Sequence, residues 1–114
     1  MPMIRVETNQ PVAGDAGQAF LTDLSRTAAR LLGKPEAYVM VGLYPGVAMR
    51  FAGSDAPLAY IEMKSIGLQT VQTSALSRGI CAFVHERLGI DPARIYIEFA
   101  SATGNMWGWN SETF

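Results

Sequence analysis

The first residue able to do chemistry is the second in the chain. The segment Met-Pro-Met-Ile-Arg-Val-Glu-Thr-Asn opens the sequence, and behind Pro2 the residues Ile4, Val6 and Thr8 alternate with Met3, Arg5 and Glu7. Proline is tolerated at the first position of a strand, where its missing N–H breaks no ladder, and on that ground alone Pro2 merely stiffens a strand start. Processing changes the reading. An initiator Met before a small residue is normally trimmed, which would leave Pro2 as a free secondary amine. Ordinary α-amino groups titrate at about 7.7 to 8.0, and burial beside a cation lowers that value. A pocketed terminal amine is then largely unprotonated at neutral pH. Proton transfer can start at residue 2, provided that the remaining chain builds a pocket around it.

Other reactive side chains are few. Cys81 is the sole cysteine and His85 the sole histidine. Both fall in the second expected helix without a second ligand or nucleophile partner at useful spacing, so both read as structural. One cysteine excludes an intramolecular disulfide and a multi-cysteine metal site. No metal is expected.

The elements that must position the amine fit one domain, residues 1–114, with 49% hydrophobic and 17% charged residues supplying a core. Nine Lys and Arg against ten Asp and Glu give a formal net charge of -1, and the cations are scattered. That excludes the basic footprint of a nucleic-acid binder. The apolar runs are too short to span a bilayer, and the N-terminus lacks a cationic, apolar, cleavable signal. A cytoplasmic protein is expected, although unconventional export would leave no trace in the sequence.

After the first strand, Gly14 to Pro35 reads as a helix, with Asp15 as cap and Gln18 three residues on. Phe20, Leu24, Ala28 and Leu31 form its apolar face, and Gly33 and Pro35 stop it. Ala37 to Gly46 reads as a mostly buried strand. Leu58 to Gly67 is a further strand, setting Tyr60, Glu62 and Lys64 against Ile61 and Met63. A second helix presents Leu76, Ile80, Phe83, Val84 and Leu88. Asp91 to Ala100 closes the pattern as a strand. A shift of half the length lays Ile4 on Ile61, Val6 on Met63, Leu24 on Cys81, Leu31 on Leu88 and Pro35 on Pro92, so the chain reads as a duplicated β-α-β unit, 1–57 and 58–114. The expected class is α/β (α+β): a four-stranded mixed sheet with two helices on one face, the strands within each half being parallel. Apolar residues on both alternating sets, Tyr38, Met40 and Gly42 against Val39, Val41 and Leu43, suggest that the second face is also covered, by self-association. The counterpart of Pro2 is Ala59, in mid-chain. Only one half has a free amine.

Several stretches together carry a resemblance: the Met-Pro start, Leu-Leu-Gly-Lys-Pro from Leu31, Ser65-Ile66-Gly67, Glu-Arg-Leu-Gly-Ile-Asp-Pro-Ala-Arg-Ile-Tyr-Ile-Glu-Phe from Glu86, and Trp-Gly-Trp-Asn from Trp107. In this order they resemble the macrophage migration inhibitory factor family of the tautomerase superfamily. The resemblance implies a homotrimer of β-α-β-β-α-β subunits around a central channel, with active sites between subunits, no cofactor, and keto-enol tautomerisation of substrates such as phenylpyruvate and dopachrome derivatives. Pro2 would be the general base. Lys34, otherwise an ordinary solvated loop residue, would lower the pKa of the amine by charge repulsion and attract the substrate carboxylate. Ile66 would contact substrate through its backbone, and Tyr96 would reach in from the neighbouring subunit. Tyr38, Trp107, Trp109 and Phe114 would wall an aryl pocket.

The chain departs from the family pattern at three places. Leu58 to Ile61 replaces a Cys-x-x-Cys, which removes thiol-disulfide exchange. Glu98 stands where an asparagine is usual at the pocket rim, and a carboxylate there would repel a keto acid and raise the amine pKa, so weaker catalysis is expected. Trp107 replaces a smaller apolar residue and would narrow the pocket or change which aryl group fits. A cytokine-like, receptor-binding signalling role is the alternative to the enzyme, and proton transfer or water addition on an unrelated substrate is a third reading.

Overall fold

Alternating polarity makes the first element: β1 (Met3–Thr8) buries Ile4, Val6 and Thr8 and turns Met3, Arg5 and Glu7 the other way. The computed structural model describes residues 1–114. Helix α1 (Gly14–Leu32) leads through a 3₁₀ turn (Glu36–Tyr38) to β2 (Met40–Tyr44). The second half repeats this order as β3 (Ala59–Ile66), α2 (Thr70–Leu88), a 3₁₀ turn (Pro92–Arg94) and β4 (Ile95–Ala102). A third 3₁₀ turn (Gly104–Met106) and a short hairpin, β5 (Gly108–Trp109) with β6 (Glu112–Thr113), complete the chain.

The strands lie in the order β2-β1-β3-β4. Each half pairs its strands in parallel, β1 with β2 and β3 with β4, because a helix carries the chain back to the same end. The two halves meet antiparallel through β1 and β3. Both helices cover the same side: Leu24 and Ala28 of α1, and Ile80 and Val84 of α2, share one buried cluster with Ile4, Val6, Ile61 and Met63. Phe20 and Phe83 join the helices with ring centroids 5.2 Å apart. The α/β class and mixed sheet expected from the sequence are present.

Several local expectations need correction. Asp15 does not cap α1; Ala13 stands at that position without a side-chain bond, and Asp15 lies in the first turn, where its charge meets the positive helix end. The reciprocal capping box belongs to α2, between Gln69 and Gln72. Leu32, rather than Leu31, completes the buried face of α1, because steps of four from Phe20 reach 24, 28 and 32. β2 is not mostly buried: it is an edge strand with Met40 66% exposed, and Tyr38 falls in the turn before it. The shift of 57 also fails beyond the first strands. Helices α1 and α2 start at Gly14 and Thr70, a spacing of 56, so Leu24 matches Ile80 and Pro35 matches Asp91. The cause is a joint one residue shorter in the second half: Ile4 precedes Gly14 by ten residues, Ile61 precedes Thr70 by nine.

The sheet face away from the helices is less apolar than β2 alone suggested. Register places Arg5 opposite Glu62 and Glu62 opposite Glu98, with Glu7, Tyr60 and Tyr96 in the next row. Arg5 pairs with Glu7 at 2.9 Å and lies 3.9 Å above the Tyr44 ring.

Candidate active site

Pro2 is fully buried where the sheet meets the C-terminal hairpin. Its carbonyl accepts from Met40 N–H at 2.9 Å, which ties the chain start to the head of β2. Beside it is a cavity of about 210 Å³, walled by Pro2, Tyr38, Met40, Trp107, Trp109 and Phe114. The aromatic wall is built as a unit. Trp109 and Phe114 stack at 5.3 Å, and Tyr38 meets both edge-on at 5.8 and 5.9 Å. Gly104 allows this closure, since a Cβ there would lie 2.7 Å from the Phe114 carbonyl oxygen. A larger hollow of about 400 Å³ between the β1–α1 loop and the end of α2 offers one charged group, Arg87, and Asp23 already neutralises it.

The cation is positioned by backbone geometry. Gly33 ends α1 in the left-handed region, φ 65°, its N–H bonding back to Arg30, and the following Lys34 N–H bonds Ala29 at 3.0 Å. This turn aims Lys34 along the end of β3. Its Nζ donates to Ser65 Oγ at 2.7 Å and to the Ile66 carbonyl at 2.6 Å. Neither partner is charged, and Lys34 is in no ion pair, so its positive charge is uncompensated by a carboxylate. An anion can therefore take the third donor of the ammonium without displacing a carboxylate.

The terminal amine responds to this setting. With Met1 in place, that amine is held below its ordinary α-amino value, first by burial and second by the charge of Lys34.

One chain thus brings together Pro2, Tyr38, Trp107, Trp109 and Phe114, with Lys34 and Ile66 joined by a hydrogen bond at the neighbouring strand end. It does not bring Tyr96 or Glu98 to them. Tyr96 is at the start of β4, in register with Tyr60 and through it with Glu7, at the opposite end of β1 from Pro2. Glu98 sits on the outer sheet face, where its carboxylate accepts from Tyr60 O–H at 3.1 Å. Sequence reasoning passed over Ser65. A signal for it existed: in the inward series Ala59, Ile61, Met63, Ser65 it is the one polar residue, and it is fully buried.

The family model for macrophage migration inhibitory factor (MIF) matches residues 1–114. The chain belongs to the MIF family. It is 36% identical to mouse macrophage migration inhibitory factor over 115 aligned positions, covering 100% of this chain and 99% of the mouse protein. It is 34% identical to the macrophage migration inhibitory factor homolog of Brugia malayi, with the same coverage of each. Among solved structures, the homologue from Prochlorococcus marinus superposes with a TM-score of 0.92 at 42% identity, covering 98% of both chains. The Trichinella spiralis protein gives 0.90 at 29% identity over 98% of this chain and 99% of its own. The MIF fold of two helices on a four-stranded mixed sheet is accordingly the fold of this chain, and the cavity at Pro2 and the bonds of Lys34 are this MIF-family chain's own details.

Proposed function

We propose that this MIF-family chain is a cofactor-independent keto-enol tautomerase for phenylpyruvate-like aryl 2-keto acids, with the Pro2 amine, freed by removal of Met1, as general base. The reading rests chiefly on one observation: a lysine without a carboxylate partner helps to depress the terminal amine of a chain whose Pro2 lines a partly open, aromatic-walled cavity. Lys34 pairs with the substrate carboxylate. The aryl ring enters the space walled by Tyr38 and Trp107. The amine takes the enol O–H proton and delivers a proton to the adjacent carbon, giving the keto acid, or runs the same two transfers in reverse. No atom is gained or lost. Tyr96 of a second copy would close the aryl end, and Glu98 of that copy would face the anionic substrate at the rim and reduce the rate. The assembly is a homotrimer.

An amide nitrogen has its lone pair delocalised and essentially no basicity, so Met1 in place blocks the base. The test compares mass-verified processed protein with a Met1-retaining preparation in a phenylpyruvate assay. Turnover in the first and none in the second is expected; equal rates would return Pro2 to a stiff strand start. A second reading, a MIF-like signalling ligand with the pocket as a side activity, is favoured by the full-length likeness to the mouse factor. Processed protein without turnover that still binds a cell-surface receptor would favour it.

A further inference from the structure

We propose that Arg94 is a positioning residue for the active site, acting through Phe51 on the ring of Tyr96; the proposal rests on the tautomerase reading above. Arg94 ends the 3₁₀ turn before β4, two residues ahead of Tyr96. Its guanidinium donates four hydrogen bonds: Nε to Pro57 O at 3.0 Å, Nη1 to Phe51 O at 3.1 Å, and Nη2 to Ser54 O and Ala56 O, both at 3.1 Å. All four acceptors belong to the single loop between β2 and β3. No carboxylate pairs with Arg94. A rigid fork with five donors can satisfy several carbonyls at fixed angles, which a lysine cannot.

The loop needs such a clamp. Residues 45–58 contain no helix or strand beyond a mutual pair of hydrogen bonds, Phe51 with Ser54, at 3.0 Å each. Within that pair Ala52 is held at φ 52°, a left-handed conformation costly for a residue with a Cβ. What the clamp presents is Phe51. The Arg94 guanidinium carbon lies 5.3 Å from the Phe51 centroid, and the aromatic neighbour of that ring is Tyr96, centroid to centroid 4.6 Å at 47°. Tyr96 is 65% exposed, and Phe51 is its one aromatic contact within the chain. The direction of its ring is thus set largely by Phe51, and that of Phe51 by Arg94. Since Tyr96 lies at the far end of the sheet from its own Pro2, Arg94 acts on the site of another copy.

The experiment uses processed full-length protein: Arg94→Met, Arg94→Lys and Phe51→Leu, each alone and with Tyr96→Ala, assayed with phenylpyruvate, while NMR follows the Tyr96 ring protons. Phe51→Leu leaves the backbone acceptor in place, so it keeps the test open if Arg94 variants fail to fold. In Arg94→Met and Phe51→Leu the KM should rise about threefold to tenfold with kcat within about twofold, because ring placement alters binding more than proton transfer. Arg94→Lys should recover little of that loss. The Tyr96 resonances should move, and the KM effects should vanish in the Tyr96→Ala background. A clamp serving stability alone would lower the melting temperature and leave KM and the Tyr96 resonances unchanged, overturning the proposal. So would KM effects that persist undiminished without the Tyr96 ring. Wild-type protein without turnover would overturn the tautomerase reading and this proposal with it, whereas an active wild type with an unresponsive Tyr96 overturns this proposal alone.

Discussion

In the proposed mechanism Lys34 does two jobs, and they separate by measurement. Its charge helps to lower the pKa of the Met1 amine, would act in the same way on the Pro2 amine once Met1 is gone, and would offer a site to the substrate carboxylate. Lys34→Ala removes the repulsion that disfavours the protonated amine, so the amine pKa rises. The free base then forms at higher pH, and the rising limb of kcat/KM against pH should move in the alkaline direction while KM for phenylpyruvate increases about tenfold. A limb that stays in place would show that the amine does not sense Lys34. Pro2→Gly should lower kcat/KM about 10²-fold or more, since a primary amine on a flexible residue is less well placed as a base. Pro2 could be named as a candidate base from the sequence because proline at position 2 becomes a free secondary amine once Met1 is removed. Lys34 was legible only by resemblance, and its anchoring by Ser65 was not read at all, because that bond joins residues 31 positions apart.

The C-terminal hairpin is the element that turns a strand start into a cavity. It stays in place through stacked rings and a few backbone bonds, among them Phe114 N–H to Trp107 O at 3.1 Å. Gly104→Ala should push the Phe114 backbone away from the turn, because a Cβ at 2.7 Å from a carbonyl oxygen cannot be accommodated without movement. We expect a changed tryptophan near-ultraviolet circular dichroism signal and a KM raised several-fold, with the melting temperature little altered because the main core is remote from the hairpin. An unaltered spectrum and KM would mean that the hairpin shifts without consequence for the cavity. An aromatic wall of residues 107, 109 and 114 was implied by the family resemblance. The hairpin that gathers them was not apparent, since its strands are two residues each and its turn uses Asn110 and Ser111 at positive φ.

At the scale of the whole molecule, the proposed site needs a second copy to supply Tyr96. The edge strand β2 leaves Met40 exposed, Tyr96 and Glu98 face away from their own Pro2, and the helices cover one side of the sheet. Closed cyclic assembly is the common answer to such a surface, and light scattering at micromolar concentration should give the mass of a trimer. A monomer mass would remove Tyr96 from the site. The charged rows on the outer face imply that a channel enclosed by three such sheets is wet rather than a packed core. In that assembly Glu98→Asn should raise kcat/KM for phenylpyruvate by removing a negative charge near an anionic substrate, and added salt should shrink the gain. No change at low salt would place Glu98 away from the bound anion. The sequence by itself determined the two β-α-β halves, the parallel pairing within each and most of the buried faces of β1, β3 and the helices, because these follow from local periodicity. It also determined the candidate base. Only the tertiary structure decided the exposure of edge strand β2, the cation held by Ser65 and Ile66 and the Arg94 clamp, since each depends on which distant segments meet, and periodicity carries no information about that.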